Sequence, residues 1–335
     1  MTSSLKVDLG DGNGKVALSG PLQFTAGTKP FVYAGRKYRG KLRVSVVGNK
    51  LRLVNYVGLE NYLYGVVPCE SPHDLPAEAL KAQAVVARTY ALGSIVSSSS
   101  FDVYPDTRSQ VYLGMSNEYP ESTEAVKDTS GEAVYYKGEI ARTFFFSTSG
   151  GRTAAIRDAW PKAKRVPYLI SVNDPYDGAS PYHNWGPVTI SSRTLATRFG
   201  VSGLVSDLTT KRNASRRVAT VTITGTGGET RQVTGDSVKL ALGLRSNWFT
   251  ATVLAIQYTR KAVASGSKLR IKGRVRNAKS PALEMRKSSG AWQKVRDLRP
   301  NSSGLIKVTL KPSSSAYYRL VAEGAIGTPV RIKVK

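Results

Sequence analysis

Leu59 to Leu92 reads LENYLYGVVPCESPHDLPAEALKAQAVVARTYAL, two helical patterns around a short Pro-rich turn. The turn carries one carboxylate, Glu70, between Cys69 and Ser71-Pro72. The second pattern has a clear start signal: Asp74 and Glu78 lie around Pro76. Proline fits a helix's first turn because its missing N–H has no helical partner there, and acidic side chains suit the positive end of the dipole. Leu80, Ala84, Ala87 and Ala91 then recur at helical spacing. They predict a narrow apolar stripe whose small side chains let another backbone come close. Lys81 and Arg88 are seven residues apart and project nearly the same way. This predicts a cationic edge on a helix that begins just after Glu70.

The bulk composition sets the class. A chain of 335 residues allows two domains with real cores. Its net charge of +26 calls for an anionic partner or surface. The charge is uneven: Arg260–Lys335 holds 19 Lys/Arg against 3 Asp/Glu. One cysteine excludes an intramolecular disulfide, and with two histidines, His73 and His183, a Cys/His zinc site is effectively excluded. No apolar run approaches the ~18 residues of a membrane span. Met1-Thr2-Ser3-Ser4 lacks the apolar core of a signal peptide, so an exported protein would be represented here by its mature form. Charge alone also suits a nucleic-acid binder, but no helix-turn-helix, zinc-finger or RRM pattern accompanies it.

Before the central stretch, Val16–Leu18, Phe31–Tyr33, Leu42–Val47 and Leu51–Val54 read as short strands between Gly/Asn/Asp turns. Gly10-Asp11-Gly12-Asn13-Gly14-Lys15 lacks the spacing of a phosphate or calcium loop and reads as a hairpin turn, as does Gly225–Gly228. After it comes a Ser run ending at Ser100, read as a loop. Phe144–Thr153, FFFSTSGGRT, reads as a strand entering a tight turn, where two glycines permit close backbone approach and free N–H groups, hydroxyls and Arg152 suit an acceptor-rich ligand. Residues 193–200 and 235–243 read as short helices stopped by Gly200 and Gly243. From Ala255 onward, apolar and polar residues alternate in short segments with Lys and Arg outward, the pattern of an antiparallel β-sandwich.

The central residues carry a family resemblance. Glu60-Asn61-Tyr62-Leu63, Gly65-Val66-Val67, Glu70-Ser71-Pro72, Ala79-Leu80-Lys81-Ala82-Gln83-Ala84 and Ala87-Arg88-Thr89-Tyr90 resemble the signature of the stage II sporulation protein D family, also called SpoIID/LytB. Ser149-Gly150-Gly151-Arg152-Thr153 is similar to a second element of that family, and the resemblance extends over about residues 20 to 252. It implies an α+β fold: a mixed, β-rich SpoIID-type domain with a few helices over 1–254, followed by a small basic sandwich over 255–335. The latter is similar to the immunoglobulin-like modules appended to secreted bacterial enzymes and is expected to bind the wall.

The resemblance also implies a function. Characterised relatives are lytic transglycosylases that cleave peptidoglycan glycan strands between N-acetylmuramic acid and N-acetylglucosamine and leave 1,6-anhydro ends. One carboxyl group serves as acid and then base, unlike the usual hydrolase pair. Glu70 occupies the catalytic position; read without the family, a lone glutamate there is a cap or ion-pair partner. Lys81, Arg88, Ser149, Gly150, Gly151, Arg152, Thr153 and Tyr168 match positions expected to bind substrate, with Trp160 a further wall residue. No cofactor is implied. Some relatives place His-Cys where this chain has Arg108-Ser109, so no metal is expected. Anionic wall polymers and an amidase are candidate partners, and the secreted or wall compartment is the expected location. The alternative is a non-catalytic peptidoglycan-binding or amidase-enhancing protein.

Overall fold

The computed structural model describes residues 4–8, 12–95, 100–258 (Tyr258 by its backbone) and 260–335. Gly10-Asp11 of the glycine-rich turn and Ser97–Ser99 of the Ser run lie outside them. The fold is mixed α and β, with several small, mainly antiparallel sheets, and divides into two compact units, Met1–Ser147 and Thr148–Lys335.

In the first unit, β1 (Leu22–Thr25), β2 (Lys41–Val47) and β3 (Lys50–Tyr56) form an antiparallel sheet in that order. Two hairpins accompany it, Ser4–Asp8 with Lys15–Ser19 and Phe31–Tyr33 with Arg36–Tyr38. Three helices follow: α1 (Leu59–Glu70), α2 (Ala77–Gly93) and α3 (Pro120–Asp128). The expected stripe on α2 is the core contact, since Leu80, Ala84, Ala87 and Ala91 are buried against Tyr62, Leu63, Val66 and Val67 of α1 and Ala125 and Val126 of α3.

Two local expectations are corrected. Glu70 is the last residue of α1, not part of the turn. Pro68 forfeits only its own N–H bond, and the helix closes beyond it with Ser71 N–H donating to the Val67 carbonyl at 3.0 Å. Phe144–Phe146 is irregular chain, not a strand, and Phe144 and Phe146 are exposed. The apolar run there was mistaken for a buried strand.

Gly65 sets how closely the chain packs on α1. A Cβ at Gly65 would lie 2.8 Å from the Gly114 carbonyl oxygen and 2.9 Å from the Tyr112 ring. Gly114 itself has φ +67°, and a Cβ there would meet the Lys37 carbonyl oxygen at 2.3 Å. Residues 110–114 therefore lie directly on the glycine face of α1.

In the second unit, β4 (Val205–Arg212), β5 (Val218–Gly225) and β6 (Thr230–Thr234) form an antiparallel meander. It shares a core with the helices at Ser192–Phe199 and Gly235–Leu242. Ser191 and Thr234 cap these helices through their hydroxyls, and Gly200 and Gly243 end them in the left-handed conformation, as read from sequence.

A second core follows. The strands are β7 (Val253–Tyr258), β8 (Leu269–Arg276), β9 (Ala282–Arg286), β10 (Gln293–Asp297), β11 (Leu305–Leu310), β12 (Ala316–Ala322) and β13 (Val330–Val334). One sheet has the order β7-β8-β11, and the other contains β13-β12-β9-β10. Ala262–Val263 adds to β13 in parallel. Leu269, Ile271, Ile306 and Val308 of the first sheet and Leu283, Tyr318, Leu320 and Ile332 of the second form one apolar cluster. Alternate residues face away from it, which is why the segments read as apolar–polar alternation. Arg276 of β8 donates a fork to Asp207 of β4 at 2.6 and 2.8 Å, with Arg274 3.0 Å from the same carboxylate.

Gly65→Ala is a sharp check on this packing. In an open helix the change stabilises by about 0.5–1 kcal/mol. Here the added methyl has no room, so a net loss of about 1–3 kcal/mol is expected in chemical denaturation. A stabilised Gly65→Ala protein would contradict the contact.

Candidate functional site

Glu70 projects from the C-terminal end of α1 and is half-buried. Val111 N–H donates to its Oε1 at 2.7 Å. Among the described residues no donor is recorded for Oε2, so one oxygen is pinned and the other left for a ligand. The pinning segment is fixed on both sides. Gln110 is fully buried, accepts from Tyr62 Oη at 3.2 Å and donates to the Ala87 carbonyl at 3.2 Å. Tyr112 packs its ring 4.9 Å from that of Tyr62 and donates to Asn55 Oδ1 at 3.2 Å. Burial pushes the Tyr62 and Tyr112 hydroxyls well above their usual pKa, so both stay protonated donors.

The neighbouring Cys69 is half-buried, and burial raises its thiol pKa, with bonds to Leu113 and Asn117 opposing. This is the environment of an inert thiol. His73 stacks on Tyr119 at 3.9 Å between ring centroids and lies 4.0 Å from Glu121.

The cationic edge does not form. Lys81 Nζ lies 3.2 Å from both Asp128 and Glu78, and these partners, Asp128 first, raise its pKa. Arg88 is 1% exposed. Its Nε and Nη2 donate a fork to Glu60 at 2.9 and 2.8 Å, Nη1 donates to the Glu132 carbonyl at 3.1 Å, and Nη2 to the Val126 carbonyl at 3.0 Å. Arg88 thus ties together α1, α2 and the end of α3. Neither cation forms an ion pair with Glu70.

Arg108, at the position where some relatives have His, forms a fork with Asp106 at 2.8 and 2.6 Å and stacks 3.8 Å over Tyr104. The Arg108 hydrogen bonds hold the Asp106 carboxyl down at about 2. Among the described residues, no three His, Cys, Asp or Glu side chains cluster to hold a metal.

The second group of expected site residues belongs to the second unit. Gly150 and Gly151 have φ of +75° and +93°, and a Cβ at Gly150 would press on Trp248 at 3.2 Å. The turn therefore needs glycine for both conformation and space. Its polar groups are spent internally. Gly151 N–H donates to Ser149 Oγ at 3.0 Å, and Ser149 Oγ donates to Asp174 at 2.8 Å. Arg152 donates to Ser171 Oγ at 2.7 Å and to Asn173. Thr153 Oγ1 accepts from Val172 N–H at 2.9 Å. Below the turn, buried Arg217 donates to the Ser149 and Arg152 carbonyls at 3.1 and 2.9 Å. Tyr168 is half-buried, whereas Trp160 is 51% exposed.

Sequence reasoning missed the partners of this turn. Asp177, with a 3% exposed side chain, accepts Ser149 N–H on Oδ1 at 2.5 Å and contacts His183 Nδ1 through Oδ2 at 2.5 Å. Burial pushes the Asp177 carboxyl up, but the bonds from His183 and Ser149 together bring it below the ordinary range. Asp177 opens a single 3-10 turn, Asp177–Ala179, and His183 lies in the irregular chain after it, where no periodicity marks either.

Residues 47–136 match the family model described as SpoIID, stage II sporulation protein. The chain is 32% identical over 214 residues to a stage II sporulation protein D of Bacillus amyloliquefaciens, covering 58% of this chain and 60% of that one. It is 36% identical over 137 residues to an amidase enhancer of Bacillus subtilis, covering 41% of this chain and 18% of that one. An uncharacterised protein of Brachyspira hyodysenteriae is 38% identical over 145 residues, covering 42% and 39%. The chain thus spans less than two thirds of the length of these curated relatives. Among solved structures, a superoxide reductase (neelaredoxin) from Ignicoccus hospitalis aligns at 10% identity, over 26% of this chain and 81% of that one, with a TM-score of 0.21, too low to bear on the fold. The residues matched by the SpoIID family model, 47–136, include Glu70, Lys81 and Arg88.

Proposed function

We propose that this protein is a peptidoglycan lytic transglycosylase in which Glu70 is the acid and the base. The observation that carries the reading is the half-pinned carboxylate: Oε1 held by Val111 N–H at the end of α1, Oε2 left for a ligand. Protonated Glu70 donates to the glycosidic oxygen as the bond to C1 of N-acetylmuramic acid breaks. The resulting carboxylate then takes the proton of that sugar's 6-hydroxyl as its oxygen bonds to C1. No water is consumed and Glu70 returns to its starting state, so one carboxyl group suffices.

In this reading Lys81 and Arg88 support the helices that carry Glu70. Gly150 and Gly151 give the glycan close approach to backbone, while Ser149, Arg152 and Thr153 hold that turn, and Tyr168 is a further proposed substrate contact. The second reading is a non-catalytic amidase enhancer, favoured by the similarity to the protein of that name. It shares the fold but requires nothing of Glu70.

The basic tail, 255–335, is the proposed wall-binding sandwich, and the exported or wall compartment follows from that role. On the outward face of its first sheet, Lys272 and Lys307 stand directly opposite each other, both exposed. Like charges in that register destabilise a sheet, and anionic wall polymers would relieve the repulsion.

Glu70→Gln is expected to slow strand cleavage at least about 100-fold, as loss of a general acid–base does, with unchanged unfolding and wall binding. Near-normal turnover in this variant would sink the assignment. Lys272→Glu with Lys307→Glu is expected to weaken co-sedimentation with purified walls at low salt, the difference fading as salt rises. Equal sedimentation of the two proteins at low salt would remove the tail face from wall binding.

A further inference from the structure

The Asp177–His183 pair has a use that its structural role does not require. The carboxylate is buried and receives two donors, Ser149 N–H and His183 Nδ1. An ionised carboxylate only accepts, so the proton of the neutral imidazole sits on Nδ1 and Nε2 carries a lone pair. No described residue bonds to Nε2, and it is not among the buried side-chain atoms lacking a partner, although the His183 side chain is only 32% exposed. The imidazole edge lies against the double-glycine turn: a Cβ at Gly151 would be 3.6 Å from His183 Cε1. Tyr176 precedes Asp177 and Tyr182 precedes His183 in sequence, both exposed, with Arg245 stacked 4.3 Å over the Tyr182 ring. Exposed rings with polar edges suit sugar faces.

We infer that His183 is a ligand-binding residue whose Nε2 accepts a hydrogen bond from a sugar hydroxyl at the Gly150-Gly151 turn, with Asp177 as its positioning residue. This rests on the glycan reading above and adds to it a contact that uses none of the Glu70 machinery. The charged groups around the imidazole are Asp177 on Nδ1, Asp174 across Ser149, Arg217 under the turn, Arg152 in the turn and Arg245 on the neighbouring ring.

The full chain labelled at histidine Cε1 is titrated by NMR with and without the N-acetylglucosamine tetramer; the two histidines are assigned with His183→Gln. The expected result is a displaced His183 resonance with tetramer, an unmoved His73 resonance, and about tenfold weaker binding in His183→Gln, equivalent to one lost hydrogen bond. Asp177→Asn is expected to weaken binding similarly while remaining folded, because an amide has one accepting end and cannot serve both Ser149 N–H and His183. An unmoved His183 resonance at saturation, wild-type affinity in His183→Gln, or no tetramer binding at all overturns the inference. Cleavage of purified peptidoglycan by the same protein preparations separates the two readings. Cleavage without a His183 response leaves the transglycosylase standing, and a His183 response without cleavage leaves the sugar contact standing.

Discussion

The close approach of residues 110–114 to α1 at Gly65 is the constraint on which the first unit depends. A side chain at Gly65 or Gly114 would lift the segment from the helix. Without that contact, Gln110 would lose its place between Tyr62 and Ala87, and Val111 N–H would no longer reach Glu70. Buried polar groups are costly unless paired. Here the pairing of Gln110 and Tyr62 also fixes the register of the segment that holds the carboxylate. Packing, hydrogen bonding and the candidate chemistry are therefore one arrangement.

Arg88 shows the same economy. Its seven-residue spacing from Lys81 suggested a surface role, yet it lies in the core, fork-bonded to Glu60 and bonded to carbonyls beyond α2. Breaking a buried pair leaves one charge uncompensated. A loss of activity on replacing Arg88 would therefore report on folding before it reported on substrate. Glu70 carries no ion pair of that kind, which makes it the more informative residue to alter.

Much of the fold was legible because it follows simple periods. The α2 stripe, the glycine stops at Gly200 and Gly243 and the alternating tail strands each obey a local rule, and the structure follows them. The site was legible only in part. Glu70 was marked by its motif, but Pro68 suggested a turn where the helix persists. Glu60 lies in the first turn of α1, and nothing local marks its partner, Arg88, 28 residues away. Asp177 sits in a single 3-10 turn and His183 in the irregular chain after it, where neither period nor spacing identifies them. Long-range pairs of single side chains leave no local pattern, and these were the features missed.

The central claim is that one carboxyl group cleaves glycan without water. Mass spectrometry of fragments released from purified peptidoglycan, with and without prior amidase treatment, tests it most directly. The account expects fragments one water lighter than hydrolysis products, ending in 1,6-anhydro-N-acetylmuramic acid. Reducing ends would contradict it and call for a second carboxylate, and the absence of fragments from either substrate would contradict it in favour of the amidase-enhancer reading.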